Sequence, residues 1–293
     1  MSVVILIAYA LGALLGYLAT RNEPLGRVWP KIVRAQLLAG AVVLSIVAVW
    51  RIDSIGSLLW SLAIAVVVVL LSVASFLLER GSNRGALASL HAWAAAPNTN
   101  FWVIPMSAAV VGPAGATTAV IVDRICLPVF AMWTWLMRRG APIPQRKRSS
   151  LIDQAPALAL IVGVALRASG PAPEWTAVVT LIVSPLLAAT GAAVFVGSAL
   201  HPTQRVDPRP GVRTWVVLAA VRIAYLVPVF FLAEGTTIKV VVLLYALTIP
   251  AFMASQLSTV YGYADAVVAA GRRWGWVVGG VGLAAIIAWQ ALN

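Results

Sequence analysis

Acidic side chains are scarce in this chain: Asp and Glu number nine among 293 residues, against 21 Lys and Arg. Charged residues of both signs reach only 10%, where a soluble domain carries about 25%, while 61% of the chain is hydrophobic. Too little polar surface remains to cover a water-exposed globule, so lipid is the expected solvent for most of it. The single Cys126 excludes an intrachain disulfide and a four-cysteine metal site. His91 and His201 stand apart from any cysteine or carboxylate cluster at ligand spacing, so neither a metal nor a cofactor is expected. The sequence contains no nucleotide loop, no HExxH pair and no Ser/His/Asp set on the expected inner loops, which argues against an enzyme. The net charge of +12 would suit nucleic acid, but the basic residues sit in short clusters between apolar runs, as in the inner loops of membrane proteins. No nucleic-acid partner is expected.

What the chain does have is long apolar runs. A helix needs about 20 residues to cross the hydrocarbon core. Stretches without Asp, Glu, Lys or Arg cover 3–20, 54–78, 85–122, 175–204, 240–264 and 274–293. Turn signals at Gly112-Pro113 with Gly115, at Gly170-Pro171 with Pro173, and at Pro208 with Pro210 divide them further. The pattern predicts ten helices, over 3–20, 31–50, 57–79, 86–111, 115–138, 150–168, 175–199, 213–233, 237–261 and 273–292. The first lacks a basic n-region and a small-residue cleavage site, so it is expected to be a membrane helix rather than a signal peptide.

Lys and Arg set the expected orientation. With the N-terminus outside, the inner segments hold Arg21, Arg27, Lys31 and Arg34, then Arg80 and Arg84, then Arg138, Arg139, Arg146, Lys147 and Arg148. Arg205, Arg209 and Arg213 follow, then Arg272 and Arg273. Only Arg51, Arg167 and Lys239 fall outside, and only Arg124 and Arg222 within helices. The bias predicts a multi-pass protein of the cell (inner) membrane with both termini extracytoplasmic. Trp29, Trp50, Trp60, Trp175 and Trp215 fall near predicted helix ends, as an aromatic belt would.

The basic loop 138–148 separates residues 1–138 from 149–293, with five predicted helices on each side. An odd number per half forces the halves into opposite orientations, the geometry of an inverted-repeat transporter. Prolines fall at matching places: Pro97 in helix 4 and Pro250 in helix 9, each about twelve residues into the fourth helix of its half. Proline removes a backbone donor and clashes with the preceding turn, at about 3 kcal/mol in a helix interior. In lipid the freed groups need partners, which two broken helices crossing near mid-membrane could supply to one another. The expected fold is therefore an all-α integral membrane protein of ten transmembrane helices, two inverted five-helix repeats with crossed, proline-broken helices 4 and 9.

Polar residues gather at the same breaks: Asn98, Thr99 and Asn100 after Pro97, and Ser255 and Gln256, then Ser258 and Thr259, after Pro250. The N–H ends of half-helices carry partial positive charge and free donors, which suit an anion. Amide side chains there can cap the downstream half-helix or reach a carboxylate.

The two motifs also resemble a known family. PNTNFWVIP, Pro97 to Pro105, is similar to the helix-4 signature of the auxin efflux carrier family, with Asn98, Thr99, Phe101 and Pro105 fitting it. PAFMASQLSTVYG, Pro250 to Gly262, keeps that family's spacing of a proline eleven residues before a Tyr-Gly pair. Val103 stands where the family usually has Gly, Trp102 adds bulk beside it, and Met253 occupies a position often polar in relatives. The resemblance implies a scaffold of helices 1, 2, 6 and 7 and a transport domain of helices 3–5 and 8–10. It also implies elevator-type alternating access and transport of small organic anions such as auxins or dicarboxylates. Asn98 matches the position that meets the substrate carboxylate in the plant exporters. The expected substrate-binding set is Pro97, Asn98, Thr99, Asn100, Pro250, Met253, Ser255 and Gln256.

Three ionisable residues lie within predicted helices: Asp123 and Arg124 in helix 5, and Arg222 in helix 8. Each costs about 2.5–3.5 kcal/mol on insertion scales, so they are expected to face a cavity or one another. Neighbours on a helix point about 100° apart, so Asp123 and Arg124 are not expected to share a partner. Asp123 is expected either to carry a coupling proton, with Arg222 or Arg124 attracting the anion, or to form a structural pair with Arg222. A sodium-coupled symporter of the bile-acid type is the alternative; it needs carboxylates beside the amides, and the sequence shows none next to Asn98 and Asn100. Gly12/Gly16 and Gly275/Gly279 have small-xxx-small spacing, which admits close helix packing or a homodimer.

Overall fold

A computed structural model describes residues 2–80, 85–141, 155–200, 206–248, 254, 263 and 265–292. The chain is built from helices: α1 (Ser2–Arg21), α2 (Glu23–Trp50), α3 (Ile55–Arg80), α4 (Gly85–Ala95), a π turn (Thr99–Val103), α5 (Ile104–Arg139), α6 (Ala155–Ser169) and α7 (Trp175–Leu200). A 3₁₀ turn (Arg209–Gly211), α8 (Val212–Leu232), α9 (Thr236–Ala246) and α10 (Ala266–Leu292) follow. Among the described residues there is no strand. Within those residues, five stretches are long and apolar enough to cross a membrane by length and composition: Val3–Arg21, Ile55–Leu77, Thr99–Arg139, Trp175–Gly197 and Arg209–Leu232.

The stretch Thr99–Arg139 has 41 residues. As a straight rod it would be about 60 Å long, twice the hydrocarbon thickness. Gly112 resolves this, because its backbone is non-helical at φ 74°, ψ −162°, a conformation that a side chain would strain. The arms 104–111 and 113–139 fold back on each other there. A Cβ placed on Gly115 would come 3.4 Å from the Cβ of Ser107, although residues eight apart on a continuous helix are separated by about 12 Å. The turn expected at Gly112-Pro113 is thus where the chain reverses.

Several helix starts follow from caps. Ser54 Oγ accepts the Ser57 N–H at 3.2 Å and starts α3. Asp265 Oδ1 accepts the Val268 N–H at 2.9 Å and starts α10. That cap explains why α10 begins at Ala266 and not at 273, so that Arg272 and Arg273 lie inside the helix and not in the loop expected for them. α2 likewise starts at Glu23 rather than 31, since Pro24 in a first turn lacks only a donor that has no intrahelical partner there.

Contacts divide the chain into two compact units: Met1–Leu62, Thr99–Arg124 and Arg148–His201 in the first, and Ala63–Asn98, Ile125–Lys147 and Pro202–Asn293 in the second. The division of chain runs through helix 4, between Asn98 and Thr99.

In the first unit α1 buries the stripe Ile5, Gly12, Gly16 and Ala19, while Val3, Leu6, Ile7, Leu11, Leu14 and Leu18 stay exposed as a lipid-compatible face. The stripe rests on α7. A Cβ on Gly12 would meet the Ala189 carbonyl oxygen at 2.0 Å, and one on Gly16 would meet that of Ala193 at 2.4 Å. The small-xxx-small spacing at Gly12/Gly16 is therefore spent on packing within the chain. Gly12→Val is expected to lower the apparent melting temperature in detergent by several degrees, because backbone rather than a movable side chain blocks the new atoms. Heating followed by size-exclusion chromatography would read it.

The second unit joins α4, α8, α9 and α10. Leu90 and Ala94 of α4 pack with Met137, Ala254 and Val268, and Ala95 packs with Trp215, Leu218, Val267 and Ala270. Trp215 is 5% exposed, so it belongs to this core and not to the aromatic belt expected from its position. Trp50 and Trp175, in contrast, meet edge to face at helix ends of the first unit, and Trp50 Nε1–H donates to the Gly170 carbonyl.

Candidate functional site

α4 stops at Ala95, two residues before Pro97, as a proline without a donor and a clash with the preceding turn dictate. Ala96 to Asn98 are non-helical, and the chain re-enters a helix through the π turn Thr99–Val103. Such single π turns recur at functional positions. The first N–H groups of the helix that starts at Thr99 have no intrahelical acceptor. Asn98 is 3% exposed, and its side-chain Nδ2 has no hydrogen-bond partner among the described residues. Leaving a buried donor unmade costs about 1–3 kcal/mol, so this amide requires an acceptor.

The π turn is held in the first unit from several sides. The Tyr9 hydroxyl donates to the Phe101 carbonyl, and the Tyr9 and Trp102 rings lie 5.9 Å apart. Gly191 of α7 packs directly on the Phe101 side chain, where a Cβ would approach within 2.5 Å. Trp102 is thus packed against Tyr9 rather than standing loose beside the break.

Asn100 meets Asp123 and Arg124 in the same unit. Its Nδ2 donates to Asp123 Oδ2 at 3.4 Å, and its Oδ1 accepts from Arg124 Nη2 at 3.5 Å. The Asp123 carboxylate also accepts a hydrogen bond from the Thr99 side chain and pairs with its own neighbour Arg124. Arg124 Nε–H further donates to Ser45 Oγ at 2.7 Å, and its Nη2 to the Ala41 carbonyl at 3.4 Å, both on α2. Two expectations are corrected here. Asp123 and Arg124 do share a partner, because the long guanidinium side chain bends back over the neighbouring residue whatever the direction of its Cβ. A carboxylate does lie beside the helix-4 amide Asn100, because Gly112 sits midway between positions 100 and 123 and the hairpin returns Asp123 to the level of Asn100.

Arg222 is 2% exposed and spends its guanidinium on backbone carbonyls of the second unit: Ala246 at 3.1 Å, Thr248 at 2.5 Å and Ala95 at 3.5 Å. Ala95 ends α4 and Ala246 ends α9, two 11-residue half-helices. Each helix C-terminus carries about half a negative charge, so two of them balance one guanidinium. Arg222 thus caps both half-helices where their last carbonyls lack intrahelical partners, in place of the expected pair with Asp123.

α9 stops at Ala246, and Leu247 already has φ −100°, ψ 10°. Pro250, Met253, Ser255 and Gln256, the expected second half of the binding set, lie outside the described residues. Pro97, Asn98, Thr99 and Asn100 lie within them, three of them buried with Asn100 half-buried.

One pair escaped the sequence reading. His91 Nε2 and Asp265 Oδ2 lie 3.0 Å apart in the second unit, with side chains 5% and 10% exposed. Burial pushes the Asp265 carboxyl upward, but the hydrogen bond and charge of His91 and the N–H groups of Val268 and Val267 outweigh it, so its pKa lies below the usual carboxylate range. The stabilisation from this ionised carboxylate is complete above that usual range and is lost as pH falls through the depressed value. A distance of 174 residues separates the two groups, and no local spacing announces such a pair.

Comparisons with protein-family models, with curated proteins and with solved structures found no match to this chain.

Proposed function

We propose that this chain is a secondary carrier for a small organic anion, a carboxylate, bound at the break after Pro97. The observation that carries this reading is the buried amide of Asn98, whose Nδ2 donor has no acceptor among the described residues, at a helix break made by Pro97. A carboxylate supplies several acceptor positions and one negative charge to such a place. The likeness of PNTNFWVIP to the auxin efflux carriers points to the same residue.

The finer architecture belongs to this reading: ten spans in two inverted five-helix repeats, with helices 4 and 9 broken. It is supported by the Gly112 hairpin, which makes two crossings of one long stretch, and by two half-helices of equal length ending at one guanidinium. A scaffold of helices 1, 2, 6 and 7 finds support in the clustering of α1, α2, α6 and α7 in one unit. Residues 99–124 cluster with them, however, so the moving part under this reading is smaller than helices 3–5 and 8–10 entire. The sodium-coupled alternative is disfavoured because the carboxylate beside Asn100 is already neutralised by Arg124.

The test is a thermal-shift screen of purified protein against mono- and dicarboxylates, repeated on Asn98→Ala. Occupancy at a hundred times Kd adds about 2.7 kcal/mol of stability. A carboxylate that stabilises the wild type and leaves the variant unmoved is the expected result. No stabilisation by any acid, or equal stabilisation of both proteins, contradicts the reading.

A further inference from the structure

His91 is the one buried imidazole with a carboxylate partner among the described residues, and the carrier reading gives it no role. It sits on α4 one helical turn before Ala95, where that half-helix ends ahead of Pro97 and Asn98. Its partner Asp265 is at once the cap of α10, holding the Val268 N–H through its other oxygen. The pair therefore ties the half-helix bearing the candidate site to the first turn of α10.

A carboxylate only accepts, so Nε2 must carry the hydrogen of the 3.0 Å contact. A second proton, taken from water, adds to Nδ1 and turns a neutral hydrogen bond into an ion pair, roughly doubling its strength. Imidazole is the side chain that makes this change near neutral pH. The other ionisable groups on the described elements packed around α4 include Arg213, Arg222 and Tyr225 of α8, Arg272 and Arg273 of α10, Arg138 and Arg139 beside Met137, and Tyr263, whose hydroxyl donates to the Met137 carbonyl. All but the two tyrosines are cations, and Asp265 is the group placed to compensate a protonated His91.

We propose that the His91–Asp265 pair is a proton-binding site, and that the proton it takes up is the coupled ion that moves with the anion. The binding itself stands without the carrier reading; the coupling role rests on it. One proton balances the charge of one monoanion, so the loaded site carries no added net charge through hydrocarbon, where an unbalanced charge is costly. The Asp123 carboxylate, held by Arg124, is thereby released from the proton role that the sequence suggested for it.

The chain has two histidines, so ¹⁵N-histidine spectra of purified protein are readily assigned by comparison with His91→Gln. The expected result is a His91 signal that changes protonation state between pH 5 and 8, and protection of the Val267 and Val268 amides, relative to their intrinsic base-catalysed exchange, that rises as His91 is protonated. In His91→Gln and in Asp265→Asn that pH dependence of protection should vanish. In proteoliposomes with the membrane potential clamped at zero, one coupled proton lets a one-unit pH gradient support about a tenfold accumulation of pyruvate, a monoanion whose free acid is too scarce near neutral pH to enter protein-free vesicles appreciably during the assay. His91→Gln should reduce this to no accumulation while leaving exchange of internal for external anion. A His91 that keeps one protonation state from pH 5 to 8 overturns the proton site, as does undiminished gradient-driven accumulation in His91→Gln. Absence of any flux with the wild type, alongside a titrating His91, strikes the carrier reading instead.

Discussion

Arg222→Ala is expected to yield almost no monodisperse protein in detergent. Three buried carbonyls, at the ends of α4 and α9 and just beyond α9, accept from this one guanidinium. Each acceptor left unmade in a water-free interior costs about 1–3 kcal/mol, and the three together rival a whole folding stability of about 5–15 kcal/mol. Arg222→Lys is expected to fall between, since an ammonium keeps the charge but lacks the planar fork that reaches three separate oxygens. Expression as a fluorescent fusion, followed by size-exclusion chromatography after a temperature ramp, measures both. An Arg222→Ala variant that elutes and melts like the wild type would show that the carbonyls find other partners.

Asp123→Asn is expected to destabilise the first unit by about 3–5 kcal/mol, because it strands the Arg124 charge, with its Ser45 and Ala41 hydrogen bonds intact, in a buried place. Arg124→Gln should cost a similar amount by stranding the carboxylate. The double variant Asp123→Asn/Arg124→Gln should recover much of the loss, since neither charge then lacks a counterpart. A double-mutant cycle of melting temperatures reads the coupling. Additive effects would mean that the two side chains act independently, and would return Asp123 to candidacy as a proton carrier.

These two predictions also mark where the sequence was informative. The break at Pro97 and the reversal at Gly112-Pro113 were legible because proline and glycine act through the backbone, within a turn or two of themselves. The partners of the buried charges were not. Arg222 serves carbonyls 24, 26 and 127 residues away, and carbonyls leave no trace in a residue pattern. His91 finds Asp265 only because α4 and α10 pack together. Asp123 meeting Asn100 was in principle readable: a hairpin centred on Gly112 pairs position 100 with positions near 123, but this needs the hairpin to be taken as antiparallel arms of equal rise. The placement of Trp215 failed for the opposite reason, since closeness to a helix end says nothing of whether a neighbouring helix covers it.

The central claim is that the amide of Asn98 receives a carboxylate at the helix break. Its most direct test is uptake of radiolabelled indole-3-acetate and succinate into proteoliposomes bearing the wild type or Asn98→Ala. Saturable uptake of one of them by the wild type is expected, with a loss of at least about tenfold in the variant, equivalent to about 1.4 kcal/mol, the lower end of what a hydrogen bond to a charged group contributes. Saturable uptake that survives Asn98→Ala undiminished would contradict it.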